Sequence, residues 1–169
     1  KSRIPWLLLL MVSATFTGKI IASYESALGA CMVLSTFIPM LMDTGGNAGS
    51  QASVSIIRGI SLDEIRFRDL ARVVWKELRV SLLCGITLAA ANFVKLMLFD
   101  KTGLTVAAVI CLTLVATVFV AKIVGAILPM LAKRAGVDPA VMASPFITTI
   151  VDALSLMIYF RIAVALLPI

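Results

Sequence analysis

The sequence has 169 residues, of which 61% are hydrophobic and 14% charged, with a mean hydropathy of +1.08 and a formal net charge of +6. Soluble domains are roughly 45–50% apolar and about 25% charged, so this balance excludes an ordinary water-soluble fold and points to an integral membrane protein. The basic residues sit beside apolar runs, not on one solvated face, which excludes nucleic acid as a partner, and the absence of histidine excludes a histidine-built metal site.

A spanning helix takes roughly 20 apolar residues, so the expected fold is all-α with about five spans joined by short connections. The apolar run after Lys1-Ser-Arg3 is too long for a cleavable leader and lacks a small-residue cleavage site. Span 1 is expected over Ile4 to Ile21, with Pro5 at its start and Trp6 at the interface. A polar turn, Ser23-Tyr24-Glu25-Ser26, leads to span 2 over Ala27 to Met42. That span runs into the stretch from Pro39 to Gln51, which holds Gly45, Gly46 and Gly49 among Asp43, Asn47, Ser50 and Gln51. Its composition predicts an irregular Gly-rich loop at the end of a membrane helix, a conformation tolerated at membrane depth only in packed protein or beside a water-filled cavity.

Beyond Gln51 the chain is strongly basic, with Arg58, Arg66, Arg68, Arg72, Lys76 and Arg79. Ser61-Leu-Asp-Glu64 has the pattern of a helix-starting capping box. Leu62, Ile65, Leu70, Val73, Val74 and Leu78 follow at roughly helical spacing, either as an amphipathic surface helix or as a plain topogenic loop. Span 3 is expected over Val80 to Phe99, a turn at Asp100-Lys-Thr-Gly103, and span 4 over Leu104 to Leu131. The loop Lys133–Pro139 returns the chain to span 5, from Ala143 to Leu167. Cys31, Cys84 and Cys111 all lie in apolar stretches without metal-ligand spacing and are expected as packed hydrophobes.

Charge sets the orientation. Six basic residues separate spans 2 and 3, Lys133 and Arg134 follow span 4, and Lys1 and Arg3 precede span 1. The positive-inside rule puts these on the cytoplasmic side, with the C-terminus outside. An odd span number precludes two equal halves within the chain, so a two-fold dimer with a pathway on its axis is the natural alternative to an inverted repeat.

Asp152 is the acidic residue well inside a predicted span. A lone carboxylate in hydrocarbon costs at least about 2.5–3.5 kcal/mol, so it should face a cavity or a partner such as Lys122 in span 4. Thr148, Asp152, Ser155 and Tyr159 recur at helical spacing with Thr149 beside them, as a pore wall would. Lys95 and Arg161 lie nearer span ends, where snorkelling accounts for them. In a two-fold dimer, two copies of Asp152 would suit a divalent cation. Mg²⁺ usually keeps several waters and touches one or two carboxylates, whereas paired carboxylates without a cation share a proton and serve equally in a proton relay. From the residues alone, the reading ends at a cation pathway.

Pro39 with Gly45-Gly-Asn-Ala-Gly-Ser-Gln51, Arg58-Gly59, and Asp138-Pro139 leading to Pro145-Phe-Ile-Thr-Thr-Ile-Val-Asp152 resemble the MgtE family of bacterial Mg²⁺ channels over essentially the whole chain. The resemblance implies an inner-membrane homodimer of ten spans, with an axial pore lined by spans 2 and 5 and a hydrated Mg²⁺ held at Asp152. It implies a pore-mouth role for Asn47 and its neighbours Gly45, Gly46, Gly49 and Gln51; Asp43, close by and acidic, has no counterpart carried over. Family members have a cytosolic N domain and CBS modules before span 1, whereas this sequence opens almost directly on that span, so a membrane domain cut from a longer protein is expected. Transport would be passive and inward. The rivals are an ion-coupled transporter and a non-transporting scaffold; an enzyme is not expected, for want of a nucleophile–base pair or a catalytic carboxylate cluster.

Overall fold

The computed structural model describes residues 3–140 and 145–167. Ala143, where span 5 was expected to begin, and Lys1 lie outside them. The described residues form an all-helical bundle without strands: α1 (Arg3–Ser23), α2 (Glu25–Ala30), α3 (Val33–Ser61), α4 (Leu70–Lys95), α5 (Leu104–Arg134) and α6 (Pro145–Leu166). Among the described residues, three stretches are long and apolar enough to cross a membrane: Phe67–Asp100, Leu104–Arg134 and Pro145–Leu166. Leu7–Ser23 forms a shorter apolar helix.

α5 is the centre of the bundle and packs against α3, α4 and α6. Three apolar clusters are stacked along it. Leu34, Leu41, Ile110, Leu156 and Phe160 form the first; Ala48, Val118, Ala121, Ile147 and Val151 the second; Ile56, Ile60, Val73, Ala126 and Met130 the third. α1 leans on α6, where Tyr24 stacks on Phe160 with ring centroids 4.6 Å apart. At the far end of α4, Lys95 is paired with Asp100 at 2.9 Å.

The expected ends of spans 1 and 4 fall within three residues of the helix ends, but the region of span 2 differs. The chain breaks at Cys31–Met32 and then runs as one α-helix of 29 residues from Val33 to Ser61, straight through Pro39 and all three glycines. At 1.5 Å per residue this helix is about 43 Å long. The expected capping box at Ser61–Glu64 is instead the end of α3. Glu64 N–H donates to the Gly59 carbonyl at 2.9 Å and Asp63 N–H to Ile60 at 3.2 Å, with Asp63 in the left-handed region (φ 55). That is a Schellman termination. The same pattern ends α5, where Gly136 (φ 74) supplies the left-handed residue and Val137 N–H reaches the Ala132 carbonyl at 2.9 Å. α4 then begins at Leu70, ten residues before span 3 was expected, so the basic segment from Arg72 to Arg79 is part of the same helix as the span.

Candidate functional site

The glycine motif folds as a helix because its glycines share a buried face. Cβ atoms built on Gly45 would lie 2.7 Å from Thr117 Cγ2 and 2.9 Å from Val151 Cγ1. One on Gly49 would lie 3.0 Å from Ile147 Cγ2 and 3.2 Å from the Ala121 carbonyl, and one on Gly46 3.0 Å from Thr148 Cγ2. From the other side, a Cβ on Gly125 of α5 would run into the backbone of Gly49, with the Gly49 carbonyl carbon at 2.9 Å. Membrane helices pack closely through small residues spaced by four, and here that spacing lets α3 lie directly on α5 and α6. The expectation of an irregular Gly-rich loop is therefore corrected: Gly45, Gly46 and Gly49 are packing positions inside a continuous helix.

The polar residues of the same motif occupy the opposite face. Pro39, Asp43, Asn47, Gln51 and Ser55 recur every four residues and are all exposed. Asn47 Nδ2 donates to Asp43 Oδ2 at 3.1 Å, holding the carboxylate along the helix.

α6 brings Asp152 and Thr148 to this face. Both line a cavity of about 440 Å³ whose other polar residues are Asp43 and Asn47 of α3, with Ile38, Pro39, Met42 and Gly46 completing the wall. Thr148 and Thr149 each donate their hydroxyl proton to the Pro145 carbonyl at 2.9 Å. This leaves the Thr148 oxygen as an acceptor for a water on the cavity side. Lys122, the alternative partner for Asp152, is instead 3.8 Å from Glu77 of α4, and both side chains are buried. Among the described residues, neither Asp43 nor Asp152 is in an ion pair.

The expected polar stripe of α6 is shorter than its spacing suggested. Ser155 is buried and donates to the Val151 carbonyl at 2.6 Å. Tyr159 is fully buried, and its hydroxyl donates to the Leu34 carbonyl of α3 at 2.9 Å. Tyr159 thus ties α6 to α3, Ser155 bonds within its own helix, and neither lines the cavity. Gln51 lines a second groove between α3 and α4. Among the described residues there is no group of three or more His, Cys, Asp or Glu, so the cavity offers two carboxylates with amide and hydroxyl groups around them. Such a donor set suits a cation that keeps its waters, not one stripped into a protein cage. Sequence reasoning placed Asp43 near the site without joining it to Asp152; the four-residue spacing of Asp43, Asn47, Gln51 and Ser55 was the signal that could have done so.

Residues 38–162 match the family model for MgtE, a divalent cation transporter. The chain is 39% identical over 166 residues to the magnesium transporter MgtE of Thermus thermophilus, a match covering 98% of this chain and 36% of that protein. It is 34% identical to the magnesium transporter MgtE of Bacillus subtilis and 31% to that of Enterococcus faecalis, over 96% and 95% of this chain and 36% and 35% of theirs. The chain thus spans about a third of the length of the curated relatives it matches.

Proposed function

The chain belongs to the MgtE family of divalent cation transporters, and from that premise we propose that it forms the pore of an Mg²⁺ channel in a bacterial inner membrane. α1, α3, α4, α5 and α6 are the five spans, with the amino-terminal end in the cytoplasm. Two chains meet about a two-fold axis, and α3 and α6 of each line the pathway. Asp152 holds hydrated Mg²⁺ electrostatically, while Asp43 adds a second carboxylate from the facing helix. Asn47 and the Thr148 oxygen take up the ion's waters at the distance of a second shell. The ion moves inward down its gradient and the membrane potential, with no covalent chemistry.

The observation that carries this reading is the joint placement of Asp152 and Asp43, neither in an ion pair, on one cavity with Asn47 and Thr148. A carboxylate left unpaired at membrane depth is costly and marks an ion pathway. Mg²⁺ influx into proteoliposomes under an inside-negative potential tests it. Asp152→Ala should lower the flux by about tenfold or more, which corresponds to about 1.4 kcal/mol of lost ion stabilisation. Asp43→Asn should lower it by a smaller factor, since Asp152, the carboxylate that holds the ion, remains. Native flux that survives Asp152→Ala in a folded chain would remove Asp152 from the pathway.

The shared cavity also favours a second reading, because two neighbouring carboxylates without a cation share a proton. A coupled transporter would show flux that follows an imposed proton or Na⁺ gradient beyond its electrical effect. A channel would follow the potential alone.

A further inference from the structure

α3 and α4 both flank α5 but leave a groove of about 540 Å³ between them, within the roughly 300–1,000 Å³ range of small-molecule pockets. Its deep end is formed by Thr44, Leu88 and Val118, and its other end by Gln51, Leu83 and Lys122. The polar groups of the deeper part are already engaged: Thr87 donates to the Leu83 carbonyl at 2.8 Å and Asn47 to Asp43. The Lys122 ammonium is different. It is held in the floor at 7% exposure, with Glu77 3.8 Å away, and Glu77 Oε2 has no hydrogen-bond partner. A lysine ammonium has three donors, so this end of the groove has hydrogen bonds left to give.

Both walls continue into a cation. Lys76 lies seven and eleven residues before Leu83 and Thr87 on α4, and Arg58 seven and eleven residues after Gln51 and Asn47 on α3. These spacings keep each on the face that lines the groove, about 10 Å beyond it at 1.5 Å per residue. Both are exposed. The outer surface of α4 fixes the level of this mouth, because exposed Arg72, Lys76 and Arg79 with Trp75 give way within one turn to exposed Leu82, Leu83 and Ile86. Basic residues and tryptophan mark a membrane–water interface, and bare aliphatic residues mark the lipid side. Of the acids beside Lys76 in the chain, Glu77 faces Lys122 and Asp69, just before α4, is engaged with the Arg66 N–H at 3.0 Å.

We propose that this groove is a binding site for an anionic phospholipid of the cytoplasmic leaflet, with one acyl chain along Leu83, Leu88 and Val118 and the headgroup phosphate between Arg58 and Lys76. The glycerol ester carbonyls, which can only accept, lie at the level of Lys122 and Gln51. The charge pattern selects the ligand: a zwitterionic lipid brings the same phosphate together with a cation of its own, which the two basic residues at the mouth repel, so it occupies the groove more weakly than a lipid with net negative charge. Each basic residue near an anionic surface contributes about 1 kcal/mol. The proposal rests on the membrane placement above and not on ion conduction.

Cys84 lines the groove and is half-buried, so its labelling reports occupancy. With Cys31 and Cys111 replaced by Ala, the chain is reconstituted into nanodiscs of phosphatidylcholine alone or with phosphatidylglycerol. The rate of Cys84 modification by N-ethylmaleimide is then measured. Phosphatidylglycerol should slow labelling severalfold, and the exposed-site double variant Arg58→Gln/Lys76→Gln should remove that difference while leaving the rate in phosphatidylcholine unchanged. Equal rates in the two lipid mixtures would overturn the proposal. So would protection that follows the number of chains per disc, which would assign the groove to a second copy. Protection by inorganic phosphate alone in phosphatidylcholine discs would also overturn it, reducing the site to an anion contact without a chain.

Discussion

Gly125 and Gly49 meet backbone to backbone where α5 crosses α3, and no side chain stands between them to yield. A methyl group at Gly125 therefore has to move a helix, not a rotamer. Overpacking of a close-packed interior costs about 1–3 kcal/mol, and backbone contact puts Gly125→Ala at or above the upper end. Gly18 in α1 has nothing within 4 Å of the same atom. There the substitution removes only the helix penalty of glycine, so Gly18→Ala should stabilise by about 0.5–1 kcal/mol. Thermal unfolding in detergent measures both, and the two alanines should move the midpoint in opposite directions. Equal effects would mean that the glycine contact is not what holds α3 against α5. The composition around Asn47 suggests a loop because Gly, Asn, Asp and Ser mark turns in water. In a bundle the same glycines make the closest helix contact and the same polar residues the exposed stripe. What separates the two outcomes is the four-residue spacing of each set, which composition does not register.

α3 is the element where that distinction has a consequence. The elements with plain apolar patterns were legible: α1, α5 and α6 begin or end within a few residues of the expected spans, since no cluster of glycine and polar residues interrupts their apolar runs. α3 was not, because its apolar residues are diluted by glycine on one face and by polar groups on the other. As one helix it should give periodic accessibility. Single cysteines at Asn47 and Ser55, both exposed, should react with a water-soluble maleimide, while cysteine at buried Ala52 should not. Uniform reactivity from 45 to 51 would restore the loop. The link between α4 and α5 has its own test. Lys122 and Glu77 are a buried pair, and removing one partner of such a pair costs about 3–5 kcal/mol because the other charge is left uncompensated. Lys122→Met alone should lower stability by that order, and Lys122→Met with Glu77→Gln should recover most of it. If the double variant is as unstable as the sum of the singles, the two side chains are not coupled.

For the molecule as a whole, the open question is what stands across from the cavity of Asp43 and Asp152. The wall that one chain supplies comes from α3 and α6, with Pro39, Asp43 and Asn47 exposed along it. A two-fold dimer places the same patch of both chains face to face, so a residue near the axis lies close to its own copy and a residue on the far side does not. Thr148 lines the cavity, whereas Leu112 of α5 is 53% exposed and lies outside it. With Cys31, Cys84 and Cys111 replaced by Ala, Thr148→Cys should give covalent dimers in membranes with a short bifunctional maleimide, and Leu112→Cys should not. The reverse pattern would put the axis elsewhere, and Asp152 would then face lipid or an unrelated surface instead of its copy. Thr148 dimers that form more slowly when Mg²⁺ is removed would add that the two walls separate when the ion no longer bridges them. Slowing of that kind belongs to the cavity alone, because Leu112 is not among the residues that line it.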